Sequence, residues 1–267
     1  MLAAVSATRR DRLTSLFAVI HASAHEGSGA LQFGDHPGGG AVLFDAGRVC
    51  WAAIPGAGRR LFDLVCAHAE ASRPEIDSAY AAWRERGEPF GEILVARKLV
   101  GAGDLRGLLL RQTSETLVML AERDAEPVWV AHRGGGYQPK FTFSLPEIAA
   151  ATTAAGLAID VTAAQAELAA VIGDSDGGGA AFDVDVDGPS LAFAVRGELD
   201  YDDVRTLGAW VTDVASRWQS DSFPGFIVAS MGAGGLVAWA TDGRLFGARF
   251  DSPSGLIRAL AHLKRRT

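Results

Sequence analysis

Residues 42–53 read Val42-Leu43-Phe44-Asp45-Ala46-Gly47-Arg48-Val49-Cys50-Trp51-Ala52-Ala53, and the amino-terminal part of the chain is organised around them. Val42, Leu43 and Phe44 form an apolar run, Asp45-Ala46-Gly47 reverses it, and Arg48-Val49-Cys50-Trp51 returns. Asp and Gly at a short reversal supply the positive φ of a tight loop, and β-branched and aromatic flanks suit strands, so a β-hairpin is expected. No catalytic motif stands near it. Ahead of it, Leu13, Leu16, Phe17 and Ile20 fall at i, i+3, i+4 and i+7, one stripe of an amphipathic helix. Ala30-Leu31-Gln32-Phe33 then reads as a short strand, and Gly38-Gly39-Gly40 as a loop into the hairpin. Beyond Pro55-Gly56-Ala57-Gly58, Leu61, Leu64 and Val65 share a face of a helix over 59–70. The order is helix, strand, hairpin, helix.

That order resembles PATAN-type domains, bacterial modules for protein contacts. The residues that carry the resemblance are Gly29-Ala30-Leu31-Gln32-Phe33, Val42-Leu43-Phe44, Gly47-Arg48-Val49, Ala52 or Ala53, and Gly56-Ala57-Gly58. A helical insertion over about 72–124 follows. Ser72 and Glu75 have capping-box spacing, Ile76, Tyr80 and Trp83 carry an apolar face, and Gly87 with Pro89 ends the helix. Asp104 is expected as the N-cap of a helix over 105–120. The run from Phe90-Gly91-Glu92-Ile93-Leu94-Val95 through Leu99-Val100 to Asp104-Leu105 is similar to the small helical module at the amino end of secretion and pilus-assembly ATPases, which also serves protein contacts. Residues 128–131 and 140–143 read as two strands completing the first sheet.

The 267 residues are enough for two domains. A net charge of −7 argues against general nucleic-acid binding, which needs concentrated Lys and Arg. No apolar run reaches the ~20 residues of a membrane span. Cys50 and Cys66 are expected to be reduced apolar fillers. Arg9-Arg10 before the first apolar run and Ala22-Ser23-Ala24 after it outline an export signal. Asp11 and Arg12 follow the pair, however, and His21 closes a short run, so a cytoplasmic helix is expected.

Ser144 and Glu147 repeat the capping-box spacing, with Pro146 in the first turn and Gly156 at the helix end. Thr162 and Gln165 form a third box. The division expected is 1–156 and 157–267, with the Gly-rich run at 173–179 as a rival boundary of linker composition. Phe182 to Val186 alternates, Asp187-Gly188 turns, and Leu191 to Val195 returns. A helix over 201–218 follows, then strands at 226–229, 236–240 and 245–250 with Gly234-Gly235 and Asp242-Gly243 at the turns. Ser252-Pro253 opens a last helix with Leu256, Ile257, Leu260 and Leu263 on its buried face. This α-ββ-α-βββ-α order is similar to the roadblock (dynein light-chain-like) fold, a five-stranded antiparallel sheet with a helix between its second and third strands. The fold class expected is therefore α+β.

Candidate chemistry is thin. Asp183-x-Asp185-x-Asp187-Gly188 opens like a calcium loop, but Ala194 stands where the bidentate Glu belongs, and strands flank it. Gly173-Asp174-Ser175-Asp176-Gly177 has the nucleophile-elbow pattern without the strand before and helix after. His21 and His25 share a helical face, but Ala22 replaces the Glu of a zinc-protease motif. No catalytic, cofactor or metal residue is assigned. Arg258, Lys264, Arg265 and Arg266 complement the dipole of the last helix.

The informative stripe is Val204, Leu207, Val211, Val214 and Trp218 at helical seam spacing, with Trp210 off the seam. Two accounts stay open, packing on the protein's own sheet and a contact with a partner. The roadblock resemblance implies a homodimer through this helix and the next strand, including Phe226 and Val228, and engagement of a small Ras-like GTPase. The function expected is a non-catalytic bacterial signalling or polarity scaffold that binds such a GTPase, or pilus or motility machinery. A small-molecule or metal-responsive sensor is the alternative, and a hydrolase on Ser175 a third.

Overall fold

A computed structural model describes residues 2–34, 39–56, 61–87, 89–123, 125–133, 137–185, 190–217 and 225–266, with backbone only for residues 2–8. The chain is mixed α+β with two antiparallel sheets, one of four strands and one of five. It forms two compact units, Ser23–Phe143, and Met1–Ala22 together with Ser144–Thr267. The first helix, α1 (Leu2–Ala24), buries the expected stripe of Leu13, Leu16, Phe17 and Ile20. All but its end belongs with the five-stranded unit. Arg9 donates to the Gly156 carbonyl at 3.0 Å and Arg10 pairs with Asp183, contacts that the single division at 156/157 did not anticipate.

The four-stranded unit holds β1 (Gly29–Phe33), β2 (Gly40–Asp45), β3 (Arg48–Ala53), α2 (Leu61–His68), α3 (Arg73–Arg86), α4 (Phe90–Ala96), α5 (Ala102–Ala121) and β4 (Pro127–Ala131). Its strand order is β3-β2-β1-β4. The hairpin turns on Ala46 (φ 49°) and Gly47 (φ 75°), both in the left-handed region that a two-residue loop needs. At Gly47 a Cβ would lie 2.9 Å from the Ala24 carbonyl oxygen, so only glycine fits. Leu43 faces Trp51 while Phe44 faces Val49, so Cys50 is the extra residue of a bulge. Leu31, Val42, Phe44, Val49 and Ala52 are buried on one face of the sheet, and α5 packs against β3.

The Glu75 carboxylate accepts from the Ser72 N–H at 2.9 Å and hydroxyl at 2.6 Å at the start of α3, and Gly87 ends the helix at φ 70°. Tyr80 draws the insertion together, with ring centroids 4.8 Å from Phe62 and 5.6 Å from Phe90, whereas Trp83 stays exposed at the rim. Gly101 caps α5, so Asp104 lies inside the first turn. Residues 140–143 are no strand. Pro139–Phe141 is a 3-10 turn, and Phe143 makes one bridge to Val49. Pro139 lacks an N–H for a ladder, and the Thr142 hydroxyl turns back to the Pro139 carbonyl.

The five-stranded unit continues with α6 (Leu145–Leu157), α7 (Thr162–Ile172), β5 (Gly177–Asp183), β6 (Leu191–Arg196), α8 (Tyr201–Arg217), β7 (Phe226–Met231), β8 (Gly234–Thr241), β9 (Arg244–Phe250) and α9 (Pro253–Lys264). From α7 onward this is the expected α-ββ-α-βββ-α order, with strands arranged β6-β5-β9-β8-β7. One sheet face is covered by Leu168, Ile172, Ala259 and Leu263 of α7 and α9, against Val237, Trp239, Phe246 and Phe250. The other is covered by α8. Local details differ from expectation. α6 runs through Gly156 to a left-handed Ala158, and the Asp160 carboxylate, accepting from the Thr162 N–H at 2.9 Å, stands where Thr162 was expected to cap. Gly234 and Gly235 lie in β8, and Ile257 is 63% exposed. The Asp187-Gly188 turn lies outside the described residues.

The run 173–179 is not a linker. Gly177, Gly178 and Gly179 are buried strand residues, and a Cβ on Gly179 would lie 2.8 Å from both the Gly247 carbonyl and the Ile172 side chain. Glycine here buys close approach of backbones. At the other end of the chain Arg266 donates to both Glu167 carboxylate oxygens at 2.6 Å. Trp239 Nε1 donates to the same carboxylate at 3.0 Å, and the Thr241 hydroxyl at 3.3 Å. Burial would push the Glu167 carboxyl up, but the hydrogen bonds from Arg266 and Trp239, the Arg266 charge and Thr241 hold it below the ordinary glutamate range.

Candidate interaction surface

The helix stripe faces inward. Val204, Leu207, Val211 and Val214 are buried against Ala180, Phe182 and Ala238 of their own sheet, and Trp210 packs half-buried on the same cluster. Two glycines allow the close fit, since Cβ atoms on Gly208 and Gly247 would meet Phe182 at 2.9 Å and Leu207 at 2.8 Å. Packing within the chain therefore accounts for Val204, Leu207, Val211 and Val214. A period of 3.6 gives the width of an apolar face but not what covers it. Trp218 lies outside the described residues. The remaining face of α8 is polar, with Arg205 near Asp202 at 3.6 Å and Arg217 on Asp213 at 2.8 Å, and such exposed pairs contribute little.

The following strand is different. β7 is the outermost strand beside β8, and its sequence Phe226-Ile227-Val228-Ala229-Ser230-Met231 has neither charge nor proline. Phe226 and Ile227 pack half-buried on the two cores, while Val228 and Met231 are 41% and 57% exposed. Val228 lies opposite Val237 and Met231 opposite Gly234. An outer strand keeps unbonded N–H and C=O groups on its free side, and proteins usually blunt such strands with charge, bulges or a covering segment. The opposite outer strand, β6, has α6 packed along it. Met231 was missed because the strand was expected to end at 229. The signal available was the absence of any charge up to Met231.

The other candidates take structural roles. Ser175 Oγ donates to the Ile172 carbonyl at 2.6 Å, closing the end of α7. Asp183 pairs with Arg10, whose other nitrogen lies 3.7 Å from Asp185, so a cation of the chain itself already faces these carboxylates. His21 Nε2 lies 3.8 Å from Asp202, with its ring beside Tyr201. Among the described residues no group of three His, Cys, Asp or Glu could hold a metal ion. Cys50 and Cys66 are free, and burial, with Asp45 nearby, pushes the Cys50 thiol up to about 12. No helix among the described residues is long and apolar enough to cross a membrane. Comparison with protein-family models, with curated proteins and with solved structures finds no match to this chain.

Proposed function

We propose that this chain is a non-catalytic signalling or polarity scaffold: a PATAN-like contact module, with inserted helices, joined to a roadblock-like module that dimerises through β7. The module so formed binds a small Ras-like GTPase or pilus and motility machinery. The observation that carries the reading is β7 itself, an uncharged outer strand with Val228 and Met231 exposed, on a five-stranded sheet in α-ββ-α-βββ-α order. Antiparallel pairing of β7 with its copy joins two sheets edge to edge about a two-fold axis. The dimer contact thus rests on Phe226, Val228 and Met231 rather than on the α8 stripe.

The test is recovery of partners from the native cells on the tagged protein, alongside a Val228→Lys form, with mass in solution measured for both. The expected result is, at low concentration, a two-copy species that Val228→Lys splits, and a Ras-like GTPase retained only when GTP-loaded. A one-copy species at every concentration, or retention of no GTPase and no pilus or motility component, would overturn the reading.

A further inference from the structure

The four-stranded sheet has an outer strand of its own. β4 pairs with β1 in unbroken antiparallel register, Gly29 to Ala131 through Phe33 to Pro127. Among the described residues β1 is the element that packs closely along it. Trp129 turns to the covered face, its ring edge-on to Phe44 at 5.4 Å. Val128 and Val130 turn to the other face and are 59% and 42% exposed. Pro127 opens the strand, but from Val128 to Ala131 there is no charge and no bulge to repel a neighbour.

The two ends of this strand carry opposite charge. Exposed Glu126 precedes it, and exposed His132 and Arg133 follow. Glu126 and Arg133 make no ion pair among the described residues. Side chains alternate, so Glu126, Val128, Val130 and His132 form one row on the exposed face. A two-fold axis at Trp129 reverses the row. Val128 of one copy then faces Val130 of the other, and Glu126 faces His132. The row is acid, apolar, apolar, base, and it complements itself. A strand of another sequence needs those charges in the same reversed order, whereas a second copy brings them.

We propose that β4 is a self-association edge, through which two copies of the chain pair antiparallel about Trp129 into one continuous sheet. Five residues a side make a contact smaller than the about 1,200–2,000 Å² of stable interfaces, so the association is weak and concentration-dependent. Alongside the β7 contact proposed above, copies link alternately through two different edges into an open string rather than a closed dimer.

The test is sedimentation of the full chain in the Val228→Lys background, where β7 is blocked and any remaining association belongs to β4. The expected mass rises with concentration toward two copies. His132→Glu weakens this about tenfold by setting like charges together in both halves of the symmetric contact. Adding Glu126→Arg restores it, because the swapped row again complements itself. Val130→Lys abolishes it. A Val228→Lys chain that stays single at all concentrations, or one that dimerises but ignores both the reversal and the swap, would overturn the proposal. Loss of β7 pairing shows separately, as identical masses for the parent chain and Val228→Lys.

Discussion

Among the described residues, each of the two sheets has one outer strand shielded by the chain and one left open, but the shields differ in scale. β6 of the five-stranded sheet is covered by α6, thirteen residues of helix whose buried side includes Ile148, Ala149 and Ala150. β3 of the four-stranded sheet is closed by α5 on its face and, at its edge, by one bridge from Phe143 to Val49. Arg48 holds that bridge, donating from Nε to the Thr142 hydroxyl at 2.6 Å and from Nη2 to the Thr142 carbonyl at 3.1 Å. A strand can thus be protected by apolar burial or by a few directed hydrogen bonds. The two devices should fail differently.

The largest effect is expected in the buried layer. Leu207→Asp puts an unpaired charge where the native side chain is 2% exposed, and should destabilise the five-stranded unit by about 4 kcal/mol or more. Chemical denaturation should show a lost or broadened transition. A stable chain that merely changes mass would restore the partner-facing account of α8.

Next comes the Glu167 lock, which joins α7, β8 and the carboxy terminus by charge. Glu167→Gln should cost about 1–2 kcal/mol at neutral pH. A depressed folded pKa makes this contribution complete above the ordinary glutamate value and lost as pH falls through the folded one. The parent should therefore lose stability with acid more steeply than Glu167→Gln. Parallel acid profiles would remove the lock.

The hydrogen-bonded shield is expected to be worth less. Arg48→Ala should cost about 1–2 kcal/mol and speed amide exchange at Val49 and Phe143, which bond each other's carbonyls, while leaving β1 and β2 protected. Uniform exchange across the sheet would instead mean that the shield and the sheet open together. The smallest stability change belongs to Val228→Lys, within about 0.5 kcal/mol, because the side chain is 41% exposed.

The sequence made local geometry readable where chemistry acts over a few residues. Asp45, Ala46 and Gly47 announced the hairpin, Ser72 with Glu75 the start of α3, and Asp242-Gly243 the last strand turn, at φ 52° and 72°. It misled where one composition serves two purposes. Gly177-Gly178-Gly179 looks like a linker because its space-filling reason, the approach of Gly247 and Ile172, lies far along the chain. Residues 140–143 alternate like a strand, but Pro139 opens a 3-10 turn there and Thr142 bonds back to it while Arg48 binds Thr142 from far along the chain. The surface divided in the same way. The β7 strand was readable as an apolar run, but the direction of the α8 stripe depended on which side of α8 the sheet lies.

The Arg10–Asp183 pair spans 173 positions of sequence, and between its halves lies the whole of the unit Ser23–Phe143. During synthesis the four-stranded unit leaves the ribosome complete while the helix made before it still lacks its partners. Arg9 and Arg10 of that helix wait for Gly156 and Asp183, which emerge only after the inserted unit. The guest can fold first and bring the two ends of its host closer, shortening the loop that the host must close.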